Sequence, residues 1–180
     1  MKNINSLPGK SFSQQNKDTK KQSYRKSNAV KYLESLIFED KKLRYPTIPV
    51  EYLAPVKYRD DSANGLTKCI IDFLRIKGHQ AERISTTGRP IDRQTTFADV
   101  TGRMRTIGRT EWIPDTITRG SADISATIKG WSVKIEVKIN DKQSQAQKDY
   151  ERSIIQAGGL YYIARNFGRF IAWYNLNFAQ

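Results

Sequence analysis

Apolar positions along this chain repeat with two periods, and the switches between them mark the elements. Val30, Leu33, Leu36 and Ile37 recur at helical spacing after Asn28, which predicts a first helix capped by that asparagine. Leu66, Ile70, Phe73 and Leu74 repeat the pattern from Asn64 onward, and Gly78 supplies a natural stop. HQAERIS then predicts a short strand. Further on, ADISATI and SVKIEVKI alternate strictly and meet at a turn around Lys129 and Gly130. Ile124, Ala126 and Ile128 share one face of the first of these strands, with Asp123, Ser125 and Thr127 on the other. Val133, Ile135 and Val137 share one face of the second, with Lys134, Glu136 and Lys138 opposite. Ser144 and Gln147 form a capping box that opens a helix with Ala146, Tyr150, Ile154 and Ala157 on one face. Gly158 and Gly159 end it, LYYIA is a compact buried strand, and RFIAWYNL closes the chain as a helix.

The remaining segments lack such periods. Residues 1–27 hold seven lysines and arginines against one acid among Ser, Gln and Asn, and are expected to be a disordered basic tail. Pro46, Pro49 and Pro55 keep the following stretch extended, packed on the domain by Tyr45, Tyr52 and Leu53. Residues 28–59 therefore read as a helix plus a proline-rich wrap, and residues 60–180 as the main domain. Within that domain, residues 85–121 form a long turn-rich insertion carrying Arg89, Arg93, Arg103, Arg105, Arg109 and Arg119. Insertions of this length in a compact domain are usually functional or disordered.

Composition narrows the classes. A chain of 180 residues has room for one core, and no apolar run reaches the ~20 residues that span a bilayer. The amino terminus lacks the apolar segment of a secretory signal, so a cytoplasmic, non-secreted protein is expected, in the host cytoplasm if the protein is viral. Cys69 is the single cysteine, which excludes an intrachain disulfide and a thiolate zinc site, and its apolar surroundings give it a packing role. His79 is the single histidine and fits a surface or capping role. The net charge of +13 makes a polyanion the expected partner. Clustering of the basic residues, and their arginine content, favours nucleic acid over a generally lysine-rich surface, and no basic amphipathic helix argues for a membrane.

Most catalytic signatures are missing: no phosphate-binding glycine loop, no nucleophile elbow, no histidine to serve a serine or cysteine. Chemistry must then rest on carboxylates, lysines and a hard metal. Glu136 and Lys138 project from one strand face while their neighbours anchor the other, and Asp123 opens the preceding strand on its polar face. Two carboxylates and a nearby backbone carbonyl suit Mg²⁺, which takes few protein ligands and keeps waters and phosphate oxygens. Lys138 beside such a metal could orient or deprotonate an attacking water.

From Asn64 to about Leu176 the chain resembles the PD-(D/E)XK nuclease superfamily, and especially its VRR-NUC and Holliday-junction-resolvase-like branch. The resemblance lies in GSADI (Gly120 to Ile124), IEVK (Ile135 to Lys138) and QSQAQ (Gln143 to Gln147), followed by a helix, Gly158-Gly159 and a strand. It implies an α/β fold with a restriction-endonuclease-like core, a mixed central sheet flanked by helices in the order α-β-β-β-α-β-α. It further implies hydrolysis of phosphodiester bonds with Mg²⁺, or Mn²⁺ in its place. Asp123 and Glu136 would be metal ligands, the Val137 carbonyl a third, Lys138 the catalytic lysine, and Gln147 a glutamine beside the site. Ala122 stands where the family name has proline, which does no chemistry. Asn64 stands where many relatives place a glutamate on the first helix, so it is a candidate for water or phosphate contact and not for a second metal.

The expectation is a Mg²⁺-dependent DNA endonuclease of phage or mobile-element type, with the six arginines of the insertion gripping phosphates. Two rivals stand: a catalytically inactive nucleic-acid-binding protein on the same fold, and a basic genome-associated structural protein. RNA as substrate and a homodimer are left open by the sequence.

Overall fold

Leu66, Ile70, Phe73 and Leu74 find their cover in a mixed sheet on one side and two further helices on the other. In the computed structural model, which describes residues 24–85, 88–113 and 118–179, the elements run α1 (Asn28–Arg44), a short 3₁₀ turn (Val50–Tyr52), α2 (Ala63–Ile76), β1 (Gln80–Arg83), β2 (Arg89–Asp92), β3 (Thr95–Ala98), β4 (Met104–Ile107), β5 (Thr110–Ile113), β6 (Ile124–Ile128), β7 (Trp131–Val137), α3 (Gln145–Gln156), β8 (Leu160–Ala164) and α4 (Phe167–Phe178). The central sheet has the order β1-β6-β7-β8; β7 pairs antiparallel with β6 and parallel with β8. The protein is thus mixed α/β, with a mixed sheet flanked by helices.

Strand alternation divides the sheet as the sequence predicts. Ile124, Ile128, Val133 and Ile135 are fully buried on the face that meets α2 and α4, where Phe73 makes edge-to-face contacts with Phe167, Phe170 and Tyr174. The turn between β6 and β7 puts Lys129 at φ 48 and Gly130 at φ 85, the paired left-handed conformation that matches strand twist in a two-residue hairpin. α3 is the helix on the opposite face; it is amphipathic but buries no residue completely, and the polar face of the sheet runs from exposed Thr127 and Ser132 to buried Glu136.

Several expectations change at the edges. Ser27, not Asn28, caps α1: its hydroxyl accepts from the Val30 amide. Residues 1–23, the bulk of the expected tail, lie outside the described residues. Residues 24–27 are packed, with the Tyr24 hydroxyl donating to Asp60 and Lys26 paired with Glu34 at 2.7 Å. Val30 and Leu33 are completely buried in the same core as α2 and α4, which makes α1 part of the packed unit. Along the proline-rich wrap, Leu53 is buried as expected, but Tyr45 and Tyr52 are exposed. Tyr58 anchors the wrap instead, donating its hydroxyl to Asp72. Residues 89–113 of the insertion are not irregular: β2 pairs with β5 and β3 with β4. Thr95, Thr96, Thr106 and Thr110 supply β propensity there, but with both faces exposed no apolar alternation marks the strands in the sequence.

Cys69 is buried as a packing residue, its thiol pushed up to about 12 chiefly by burial, and therefore inert. His79 joins the end of α2 to α4 through a 2.8 Å contact of Nε2 with the Tyr174 hydroxyl. Among the described residues no helix is long and apolar enough to cross a membrane.

Candidate active site

The polar face of the sheet ends in a carboxylate cluster whose placement follows from register. Ile124 pairs with Ile135, so Asp123, one residue before β6, stands opposite Glu136 on the same face. Asp123 is held at both ends: its carbonyl accepts from the Ile84 amide at 2.8 Å, and its Oδ2 accepts from the Val137 amide at 2.8 Å. A residue's N–H and C=O leave an extended strand on the same side, which makes the Val137 carbonyl the backbone acceptor expected beside Asp123.

Glu136 is 2% exposed, although it lies on the polar face of its strand. Its Oε1 accepts from Lys138 Nζ at 3.0 Å and from Gln147 Nε2 at 2.5 Å. Burial lifts this carboxyl above its ordinary value and the Asp123 charge pushes the same way, while the Lys138 hydrogen bond opposes them. Lys138 is itself only 14% exposed, and its amide is fixed by the Ala164 carbonyl at 2.9 Å.

Gln147 reaches the cluster from the first turn of α3. Its Oε1 accepts from the Ser144 amide at 2.9 Å, completing the capping box, while its Nε2 holds Glu136. The two roles that its position in the sequence suggests are filled by one side chain. The turn before β6 seats this helix end: Gly120 has φ 84, and a Cβ there would fall on the Ala146 carbonyl and 2.8 Å from the Gln147 amide nitrogen.

Two buried side-chain atoms among the described residues lack any hydrogen-bond partner, and both lie here: Glu136 Oε2 and the Tyr161 hydroxyl. Tyr161, on β8, pairs with Lys134 of β7, so it shares the face of Lys134 and Glu136. Its hydroxyl is raised first by burial and then by the Glu136 charge, so it is near that carboxylate without a well-formed hydrogen bond to it. A buried polar atom left unpaired costs roughly 1–3 kcal/mol. An unpartnered carboxylate oxygen opposite a second carboxylate could serve as a donor to a cation. No group of three His, Cys, Asp or Glu side chains suited to a metal occurs among the described residues. The available set is two carboxylates and a backbone carbonyl, which fits Mg²⁺ better than a metal that needs a full protein cage.

The sequence-predicted residues divide clearly. Asp123, Glu136, Val137, Lys138 and Gln147 are brought together. Asn64 is not hydrogen-bonded to them: it sits in the first turn of α2, and its Oδ1 accepts from Arg83 Nη2 at 2.8 Å. Arg93 is paired with Glu111 at 2.7 Å, and Arg105 with Asp99 at 2.8 Å. Arg89, Arg103 and Arg109 make no ion pair among the described residues, and all three are exposed. Arg119 is exposed beside α3, lining a shallow pocket with Tyr150 and Ser153. Tyr161 and Arg83 are additions. The alternation that selects Glu136 on β7, carried across to LYYIA, would have put Tyr161 on the same face. Arg83 needed the fold, because its partner Asn64 lies 19 residues away.

Compared with the families of known proteins, with curated proteins and with solved structures, the chain finds no match in any of the three.

Proposed function

We propose that this protein is a Mg²⁺-dependent nuclease of the PD-(D/E)XK type on a restriction-endonuclease-like core, acting as an endonuclease on DNA. The observation that carries the reading is the buried Glu136 carboxylate: Oε1 is held by Lys138 and Gln147, Oε2 has no partner, and Asp123 stands opposite. Two further observations support it. The core order α2-β1-β6-β7-α3-β8-α4 is the α-β-β-β-α-β-α that the resemblance implies. The net charge of +13 suits a polyanionic substrate.

Asp123 and Glu136, with the Val137 carbonyl, would hold the cation. When bound, Mg²⁺ lowers the pKa of a coordinated water and draws charge from a phosphoryl oxygen. The chain's own residues supply the rest. Lys138 is tied to Glu136 and fixed at its amide, so its ammonium is held where it can orient a water or offset charge growing on phosphate. Gln147 fixes the rotamer of Glu136, and its own position is set by the capping box. The Val137 amide fixes Asp123 in the same way. Preorganisation of this kind costs nothing at the moment of reaction.

The test is incubation of the full chain with plasmid and linear DNA in Mg²⁺ or EDTA, beside a Lys138→Ala variant. Mg²⁺-dependent cleavage is expected, falling ~10²–10⁴-fold in the variant while DNA binding persists. Binding with no cleavage in any divalent metal would replace the nuclease by an inactive nucleic-acid-binding protein on the same fold. Cleavage by Lys138→Ala within a few-fold of wild type would remove that lysine from the mechanism.

A further inference from the structure

Residues 89–113 form a two-stranded ribbon with no counterpart in the α-β-β-β-α-β-α core, and almost every residue in it is exposed on both faces. An isolated ribbon is marginal in water, yet this one is braced at three levels. At the tip, Asp99 accepts from the Thr101 hydroxyl, from the amides of Arg103 and Thr101 and from Arg105 Nε, which together hold its carboxyl down at about 2. Midway, the Arg93 amide donates to the Arg109 carbonyl and joins the two ladders. There Gly108 has φ 98, and a Cβ would fall on the Arg93 carbonyl, so the joint is closely packed. In the outer ladder, the hydroxyls of Thr96 and Thr106 meet across the strands at 2.9 Å.

The charges of the ribbon are sorted. Its five arginines face three acids. Glu111 is taken by Arg93, Asp99 by the tip, and Asp92 by the Gln94 amide. Arg89, Arg103 and Arg109 remain exposed without an ion pair among the described residues, spread from base to tip. The outer ladder is slender: Thr95, Thr96, Ala98 and Thr106 are small, and Met104 and Ile107 are exposed beside them.

We infer that this ribbon is a groove-reading arm for duplex DNA, entering the major groove, so that the substrate of the proposed nuclease is B-form duplex; the inference rests on that nuclease reading only for what is cut, not for what is bound. The B-DNA major groove is about 12 Å wide and admits a two-stranded ribbon. The unpaired arginines reach flanking phosphates, and the exposed apolar side chains of the outer ladder suit base edges such as the thymine methyl. A single-strand binder would need a row of aromatic platforms, whereas the ribbon holds two aromatic side chains on different ladders, Phe97 in the outer and Trp112 in the inner. A-form RNA has a deep, narrow major groove that excludes the ribbon. The basic residues elsewhere in the chain attract all polyanions alike, so the arm is visible as a difference between duplex types.

The experiment measures binding of the full chain by fluorescence anisotropy in EDTA, with a DNA duplex, its single strand and the RNA duplex of the same sequence. Two variants are compared with wild type. In one, residues 94–108 are replaced by an Asn-Gly turn, which joins the paired Arg93 and Arg109. The other is Arg89→Ala/Arg103→Ala/Arg109→Ala, which keeps the ribbon if the shortened form does not fold. Wild type should bind the DNA duplex about tenfold or more tighter than the RNA duplex, and the shortened variant should lose that preference. The triple variant should flatten the salt slope on duplex DNA by up to about three and bind it roughly tenfold to a hundredfold more weakly. Unchanged DNA-duplex preference in a folded shortened variant would overturn the inference, as would an unchanged salt slope in the triple variant. Loss of self-association by light scattering on shortening, with DNA binding intact, would assign the ribbon to a second copy of the chain and overturn it equally. Ribbon-dependent binding without Mg²⁺-dependent cleavage would sink the nuclease and keep the arm; cleavage with ribbon-independent binding would do the reverse.

Discussion

Gln147 Nε2 donates to Glu136 Oε1 at 2.5 Å, while the oxygen of the same amide closes the cap of α3 on Ser144. The start of a helix and the orientation of a buried carboxylate therefore depend on one side chain. Gln147→Ala should lower stability by about 0.5–1.5 kcal/mol, the net value of a hydrogen bond, and, if Glu136 is a metal ligand of the proposed nuclease, lower the cleavage rate about 10–100-fold, as loss of a partner that orients such a ligand does. Gln147→Glu can still accept from Ser144 but cannot donate to Glu136. It keeps the cap but sets a second carboxylate against the buried Glu136 Oε1, so it should lose stability as well as activity, and recover part of the stability as pH falls and the pair takes up a proton. A Glu variant with wild-type turnover would leave Gln147 as a cap alone.

If Asp123 and Glu136 hold the cation, Mg²⁺ should stabilise the folded protein by mass action, by about 2.7 kcal/mol at a hundredfold excess over Kd. Asp123→Asn keeps an acceptor for the Val137 amide, and Glu136→Gln keeps one for Lys138, so both should fold. Neither amide carries the charge a hard cation requires. Thermal melts with and without Mg²⁺ should therefore show the shift in wild type and none in either variant. An equal shift in all three proteins would place the metal elsewhere.

The centre of the site was legible because it depends on alternation. Once SVKIEVKI buries Val133, Ile135 and Val137, Glu136 and Lys138 must share the other face. The pairing of Asp123 with Glu136 follows from a two-residue turn at Lys129 and Gly130, which leaves little freedom of register. What sequence did not show was the burial of Glu136, since this needs α3 and Tyr161 brought in from beyond the hairpin. Nor did it show the ribbon, whose four-residue strands are too short and too exposed to leave an apolar period. Ion pairing within the insertion was equally hidden. Arg93 and Glu111 lie 18 positions apart and meet only because β2 pairs with β5.

Gly120 offers a test of how the loop before β6 supports the site. Its φ of 84 strains any L side chain, and an added methyl would meet the Ala146 carbonyl in the first turn of α3. Gly120→Ala should cost about 1–3 kcal/mol and push that turn away, taking Gln147 off Glu136. Gly130→Ala is the control, because its φ of 85 is similarly strained but no heavy atom lies within 4 Å of the added Cβ. Both variants should lose stability in urea melts. Only Gly120→Ala should also lose cleavage under conditions where each protein remains folded. Equal activities for the pair would detach this close approach from catalysis.

His79 tests the far side of the core. Burial lowers its imidazole below the ordinary value of 6.5, and the nearby Lys129 charge acts in the same direction. A histidine depressed in the folded state binds fewer protons there than in the unfolded chain, so stability rises with pH where it titrates. Its contribution should be fully present above pH 6.5 and lost as pH falls through the lower, folded value. Glu136, raised by burial, works in the opposite sense, losing stability as pH rises through its folded value. The comparison must therefore be wild type against His79→Gln, which keeps a polar group for the Tyr174 hydroxyl and removes the proton. Chemical melts across pH 5 to 8 should show the stability gap between the two narrowing as pH falls. The slope of that gap cannot exceed about 1.4 kcal/mol per pH unit for one proton. A gap independent of pH would mean that His79 is as free to protonate in the folded protein as in the unfolded chain.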